Sequence, residues 1–416
     1  MNTEDPALPA DPPGRWRALV VIGAGMLLAF SPWFSAAAVA PLLAADWHTS
    51  GLELTFLAVA VQLGFAVGAL VLAATGATDV LPGPLVFCAG AAWAAGANLL
   101  FALVPADAAS ALPLRALTGL GMAAVYPVGV KMIAGWFRIR RGLAIGVMTG
   151  AITVGSAMPH LFRAVGALAG VDWRAVVAFA SAAGLLGGLI VLFGARSGPL
   201  ETPAPRFSLS VAAAAWREPA VRYANLGYLG HMWELYAMWT WVPLFLAASL
   251  AAAGAPEAAT AGLATFAVVG IGGVGCVLAG LLADRLGRTT LTIGAMAASG
   301  SCALAIGFLF GASPVVVVAL AAVWGLTIVA DSAQFSTAVS ELAPAGTAGS
   351  ALSLQVALGF ILTGVTITGV GLMDPLDGTG WRVAFGLLAL GPLVGIWAMW
   401  RLRRLPEAVR MANGHR

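Results

Sequence analysis

Five ionisable side chains stand deep inside apolar stretches of this 416-residue chain: Arg115, Lys131, His231, Glu234 and Asp331. A charge in hydrocarbon costs at least about 2.5–3.5 kcal/mol on insertion scales, so each is expected to face a cavity or a partner. His231 and Glu234 are three residues apart and so share one helix face. A poorly solvated carboxyl and an imidazole are the groups that exchange protons near neutrality. Glu234 is therefore the first expected proton site, with His231 as its modulator and Asp331 second. Lys131 is the sole lysine. Buried and cationic, it is expected to attract an anionic solute, and Arg115 either to do likewise or to hold helices together. Tyr126, Trp33, Tyr228, Tyr236, Trp239 and Gln334 complete the expected solute-binding set.

The elements that position these residues follow from composition. Hydrophobic residues make up 60% of the chain and charged residues 9%, against roughly 25% charged in a soluble domain. Lipid is the solvent that suits such a chain. Apolar runs of about 20 residues, the length that crosses a bilayer, recur at 17–44, 51–75, 83–104, 110–135, 142–165, 173–195, 221–248, 259–282, 290–311, 314–341, 348–372 and 382–402. The expected fold class is an all-α membrane protein with twelve transmembrane helices in two pseudo-symmetric six-helix bundles. The expected organisation is a cytoplasmic N-terminal tail (1–16), an N-terminal bundle (17–195), a cytoplasmic linker (196–220), a C-terminal bundle (221–402) and a cytoplasmic tail (403–416). Residues 1–14 are acidic and proline-rich without a signal peptide's basic start, and are expected to be disordered.

With both ends inside, sixteen arginines fall on the inner side and Arg163, Arg174 and Arg382 on the outer, a bias that supports an even number of spans. Glu53, Asp107, His160, Arg163, Asp374 and Asp377 are then expected at the outer interface, with no site to build. The arginine and alanine richness points to a bacterial inner membrane. An internal repeat supports two halves: Trp173-Arg174 opens the sixth run and Trp381-Arg382 the twelfth, 208 residues apart. Cys88, Cys276 and Cys302 lie in apolar runs with no metal or redox spacing. No nucleotide loop, metal cluster or nucleophile motif is visible, so no cofactor is expected and an enzyme or an ATP-driven pump is disfavoured.

The loop between spans 8 and 9 reads Gly280-Leu281-Leu282-Ala283-Asp284-Arg285-Leu286-Gly287-Arg288, span 4 carries Arg115-Ala116-Leu117-Thr118-Gly119-Leu120-Gly121, and span 5 has Gly150, Gly155 and Pro159. These segments resemble the loop motif, the R-x-x-x-G-x-G motif and the glycine-proline motif of the major facilitator superfamily, and the resemblance covers essentially the whole chain. It implies alternating access between two halves and a cavity lined mainly by spans 1, 4, 7 and 10, the set that carries all five buried charges. It also implies that Gly280, Asp284, Arg285, Gly287 and Arg288 latch the halves. The matching loop between spans 2 and 3 departs from the pattern: Asp79 survives, but every basic residue is gone, so a weak latch is expected there. The expected function is secondary transport of a small solute, proton-coupled, with a small organic or inorganic anion as leading class. The alternatives are proton-driven efflux of hydrophobic or cationic compounds, and a non-transporting receptor or assembly protein on the same fold. Expected partners are the solute, protons and the bilayer, with no nucleic acid, and the chain is expected to be monomeric.

Overall fold

The computed structural model describes residues 11–201, 207–255, 257–375 and 377–416, apart from the side chains of Asp79 and Asn413. Span 1 consists of Arg15–Ala29 and Ser35–Trp47, span 2 is Gly51–Thr75, span 3 Gly83–Leu103, and span 4 Ala108–Met122 with Tyr126–Ala134. Span 5 is Arg141–Ala169, span 6 Trp173–Gly194, span 7 Pro219–Ala252, and span 8 Ala258–Gly270 with Gly272–Leu286. Span 9 is Arg288–Ile306, span 10 Pro314–Ile328 with Ser332–Leu342, span 11 Ala348–Met373, and span 12 Gly378–Leu388 with Leu390–Arg403. Among the described residues eleven helices are long and apolar enough to cross a membrane, and the shorter apolar helix Ser35–Trp47 belongs to span 1. The expected runs agree with these limits to within a few residues. Within the expected linker, Leu209–Arg217 forms a helix; Arg206 lies outside the described residues.

These helices are apolar outside as well as inside, as lipid requires: Phe193 is 82% and Val315 77% exposed. Their ends carry local caps. Ser50 and Glu53 form a capping box at span 2. At span 4 the Ser110 hydroxyl and backbone N–H both donate to the Asp107 carboxyl, which holds it below the usual carboxylate range.

Spans 1, 4 and 10 break near mid-membrane. In span 1 the break is Phe30–Phe34, where Pro32 has no N–H to donate and crowds the preceding turn. In span 4 it is Ala123–Val125, just ahead of Pro127. In span 10 it is Val329–Asp331, with no proline nearby. At each break the chain tightens to bonds three residues back, such as Trp33 N to Phe30 O at 3.1 Å, Val125 N to Met122 O at 3.0 Å and Ser332 N to Val329 O at 3.2 Å.

The halves meet along two helix pairs. Span 5 packs on span 8, with Gly146 against the Cys276 carbonyl and Gly150 against Gly273. Span 2 packs on span 11, where the Phe65 and Phe360 rings are 4.3 Å apart. Both described chain ends lie at one end of the bundle, called here the terminal end. Asp11 accepts from the Arg138 and Ile139 N–H groups there, and the Arg416 carbonyl accepts from Thr289 N.

Within the N-terminal half, spans 2 and 4 approach through reciprocal glycines. Gly64 sits on the Ala116 carbonyl and Gly119 on the Val61 carbonyl, where a methyl group would collide with backbone. Gly119→Leu should therefore destabilise the fold by about 1–3 kcal/mol, read as a lower thermal-unfolding midpoint in detergent. An unchanged midpoint would contradict this packing.

Candidate functional site

The three helix breaks converge on one central cavity of about 40 Å³ between the halves, room for a few waters. Phe30 and Trp33 come from the span 1 break, Tyr126 from the residue after the span 4 break, and Val329 and Ser332 from the span 10 break. Unbroken span 7 supplies Tyr228, Met232, Leu235, Tyr236 and Trp239, and span 5 supplies Thr149, Ile152 and Thr153. Non-helical backbone at membrane depth is tolerated where it lines such a cavity.

The lining is aromatic and hydroxylated, and no charged residue is part of it. Phe30 and Trp33 stack at 5.5 Å, and Trp33 meets Tyr236 of the other half at 5.9 Å. The indole N–H groups of Trp33 and Trp239 are buried and have no hydrogen-bond partner. An unsatisfied buried donor costs about 1–3 kcal/mol, so both are poised to meet acceptor atoms of a ligand.

One end of the cavity is closed by aromatic side chains. On the side away from the termini, Phe34 packs on Trp239 at 5.6 Å and on Tyr236 at 6.1 Å. Beyond them lies an outer vestibule of about 260 Å³. Toward the termini a pocket of about 200 Å³ shares Val356 with the cavity and is lined by Phe207. Phe207 N donates to Ala73 O of span 2 at 3.2 Å, and Ser208 N to Ser350 Oγ of span 11 at 3.1 Å.

The buried charges stand behind the cavity wall. Arg115 is 1% exposed and grips the span 1 break. Its guanidinium donates to Trp33 O at 2.6 Å, Asn98 Oδ1 at 2.6 Å and Pro32 O at 3.3 Å. Asn98 in turn donates to Ser181 Oγ of span 6 at 2.9 Å. Of the two roles expected for Arg115, this geometry is the one that holds helices together.

His231 and Glu234 share a face of span 7 but not a partner. His231 Nδ1 approaches Asp331 Oδ1 at 2.9 Å. The approach is bent, so Asp331 Oδ1 receives no well-directed hydrogen bond, and His231 Nε2 has none either. Asp331 stands at the start of the second half of span 10 without a side-chain cap bond, next to the cavity residue Ser332. Glu234 instead receives the Trp324 indole N–H at 2.7 Å and the Ser299 hydroxyl at 2.9 Å. It is held between spans 7, 9 and 10, away from His231's partner.

Two residues expected at the solute lie elsewhere. Lys131 Nζ donates to the Thr78 carbonyl at 2.9 Å and lies 3.4 Å from Glu201 Oε1. It ties span 4 to the loop between spans 2 and 3 at the terminal end, supplying from span 4 a base which that loop lacks. Gln334 accepts from Arg288 at 2.9 Å. Arg288 also makes a two-pronged pair with Glu341 of span 10, at 2.7 and 2.6 Å, and lies 3.5 Å from Asp284. The loop motif therefore braces the C-terminal half internally, while Gly280 packs against the Gly142 carbonyl of the other half. Gly287 takes φ 85° beneath the His415 and Arg416 carbonyls, and Arg285 is exposed. The side chain of Asp79 lies outside the described residues.

Sequence reasoning placed Trp33, Tyr126, Tyr228, Tyr236 and Trp239 at the solute, and the cavity brings all five together. It missed Trp324 and Ser299, the partners of Glu234, because an aromatic and a hydroxyl in apolar helices look like packing. It also missed Asn98 and Ser35 beside Arg115. Pro32 and Pro127 were visible signals for two of the breaks.

The family model described as Major Facilitator Superfamily matches residues 21–366. No curated protein matches the chain. Among solved structures, the crystal structure of a D-xylose-proton symporter superposes with TM-score 0.72 at 16% identity, covering 95% of this chain and 99% of that one. The partially occluded inward-open xylose transporter XylE from E. coli gives 0.71 at 15% identity, covering 93% and 99%. A bacterial homolog of the human lysosomal transporter Spinster, inward-facing and unoccupied, gives 0.69 at 14% identity, covering 95% and 98%. At these identities the likeness concerns the fold.

Arg115→Lys keeps the charge but loses the planar fork that spans Asn98 and the Trp33 carbonyl. It should destabilise the protein by about 1–3 kcal/mol, read as a lower unfolding midpoint. Wild-type stability in this variant would contradict the clamp.

Proposed function

This chain belongs to the Major Facilitator Superfamily, and on that premise we propose that it moves a small, uncharged, amphipathic organic solute, bound in the central cavity and coupled to protons. The observation that carries this reading is the cavity itself: aromatic, free of charged residues, and furnished with two unpartnered indole donors. Aromatic faces suit an apolar body, and the indole N–H groups suit carbonyl, ether or hydroxyl oxygens. An organic acid fits in its protonated form, because a bare anion or cation would enter without a counter-charge and lose its hydration.

The anion reading built on Lys131 and Arg115 loses its support, since both are engaged outside the cavity. Efflux of cations loses support for a similar reason: Glu234 and Asp331 turn toward partners behind the wall. That the termini face the cytoplasm of a bacterial inner membrane is part of the proposal and rests on the arginine bias.

Proton coupling is assigned first to the His231–Asp331 pair and second to Glu234. The pair sits at the span 10 break, one residue from the cavity lining at Ser332. Protonation of Asp331 removes its attraction for a charged imidazole and frees the break to rearrange around the solute. Glu234 is buried, receives two neutral donors and has no cation beside it among the described residues, which makes it the second candidate.

Two measurements test this. In a ligand-stability screen of the purified protein, neutral amphipathic compounds should stabilise it more than permanent anions or lipophilic cations. Trp33→Phe and Trp239→Phe, which keep a ring and remove the N–H, should each weaken the best ligand roughly fivefold or more. In proteoliposomes, Asp331→Asn should abolish accumulation driven by a pH gradient while sparing solute exchange. Selective stabilisation by permanent ions would overturn the solute class, and full coupling in Asp331→Asn would overturn the proton assignment.

A further inference from the structure

We propose that the outer vestibule is a second binding site, for a small organic carboxylate. The vestibule holds about 260 Å³, and Phe34, Tyr236 and Trp239 separate it from the central cavity. His160 and Arg163 of span 5 both line it, and their spacing of three residues puts them on one helix face. His160 is only 3% exposed. The Arg163 Nε is buried without a hydrogen-bond partner. No ion pair neutralises either of them among the described residues. His160 turns inward, and Arg163 is half-buried along the vestibule wall.

The single acid on the lining is Asp374. It sits at the end of span 11 with its Oδ1 over Gly51, the first residue of span 2. The positive end of that helix faces it there. The charge left without a counterpart is therefore the basic one on span 5. A guanidinium with free N–H groups matches a carboxylate in shape and charge, and the imidazole adds a further donor. The remaining wall is apolar, built from Leu54, Trp241, Pro243 and Leu244 among others. This combination favours a carboxylate with a hydrocarbon body over an inorganic ion. The shared chemistry with an anionic lipid headgroup is clear, and the soluble carboxylate is preferred because threonines and alanines of the path between the halves continue the lining.

The test uses the full chain, purified and placed in nanodiscs of neutral lipid. Benzoate and hexanoate are titrated by calorimetry alongside benzyl alcohol and hexanol. Binding of the two acids that depends on Arg163 is expected, while any binding of the two alcohols should depend on Trp33 and not on Arg163. Arg163→Gln should weaken the acids roughly tenfold or more, the loss of a charge-assisted bond, and Arg163→Lys should restore part of it. Asp374→Asn should tighten binding, a gain that no unfolding produces. Trp33→Phe, at the central cavity, should leave it unchanged, so this site can fail while the reading of the cavity stands, and the reverse. Acid binding that survives Arg163→Gln, or that falls with Trp33→Phe instead, would overturn the proposal. Equal binding of chloride or inorganic phosphate would overturn the organic class. Loss of acid binding in discs containing phosphatidylglycerol would assign the site to a lipid headgroup.

Discussion

Backbone that leaves the helix inside a bilayer must find hydrogen-bond partners within the protein, because hydrocarbon supplies none. The Arg115 clamp meets that demand in span 1. It satisfies the carbonyls of Pro32 and Trp33 from span 4 and fixes the point where span 1 turns. With those carbonyls held, Trp33 is presented to the cavity and Phe30 stacks beside it. An arginine is suited to this because its fork reaches Asn98 and the Trp33 carbonyl together. Cation and neutral acceptors remain buried as a unit, with the Phe101 ring 5.2 Å from the guanidinium.

The same logic runs through the other half with different chemistry. At span 10 the break is held by a side-chain pair, His231 with Asp331, rather than by a permanent cation. The span 1 break is thus held by a guanidinium, and the span 10 break by a carboxylate and an imidazole. The two ends of the path differ as well. Aromatic rings close the cavity on the side away from the termini, and ionic contacts such as Arg288 with Glu341 brace the terminal end.

The spans were legible because lipid imposes a length and a composition that few other structures share. The Trp-Arg pairs marked the starts of spans 6 and 12. Pro32 and Pro127 carried the signal for two breaks, whereas the break at Val329–Asp331 has no sequence mark because it depends on a partner 100 residues away. The aromatic residues of spans 1, 4 and 7 expected at the solute all line the cavity. The cations were not, because helical spacing tells which residues share a face but not what that face meets. Lys131 looked like a solute ligand by its rarity, yet its length lets it reach the Thr78 carbonyl at the helix end. His160 and Arg163 looked like interfacial anchors, and only the fold reveals that they line a vestibule.

The central claim is that the cavity at the three helix breaks is the alternately exposed compartment. The most direct measurement is thiol accessibility at Ser332→Cys, in a background with Cys88, Cys276 and Cys302 replaced. A membrane-impermeant reagent is applied to right-side-out and to inverted vesicles. The account predicts labelling from both sides, with a pH gradient shifting the ratio and Asp331→Asn removing that shift. Labelling confined to one side under every condition, or from neither, would contradict it.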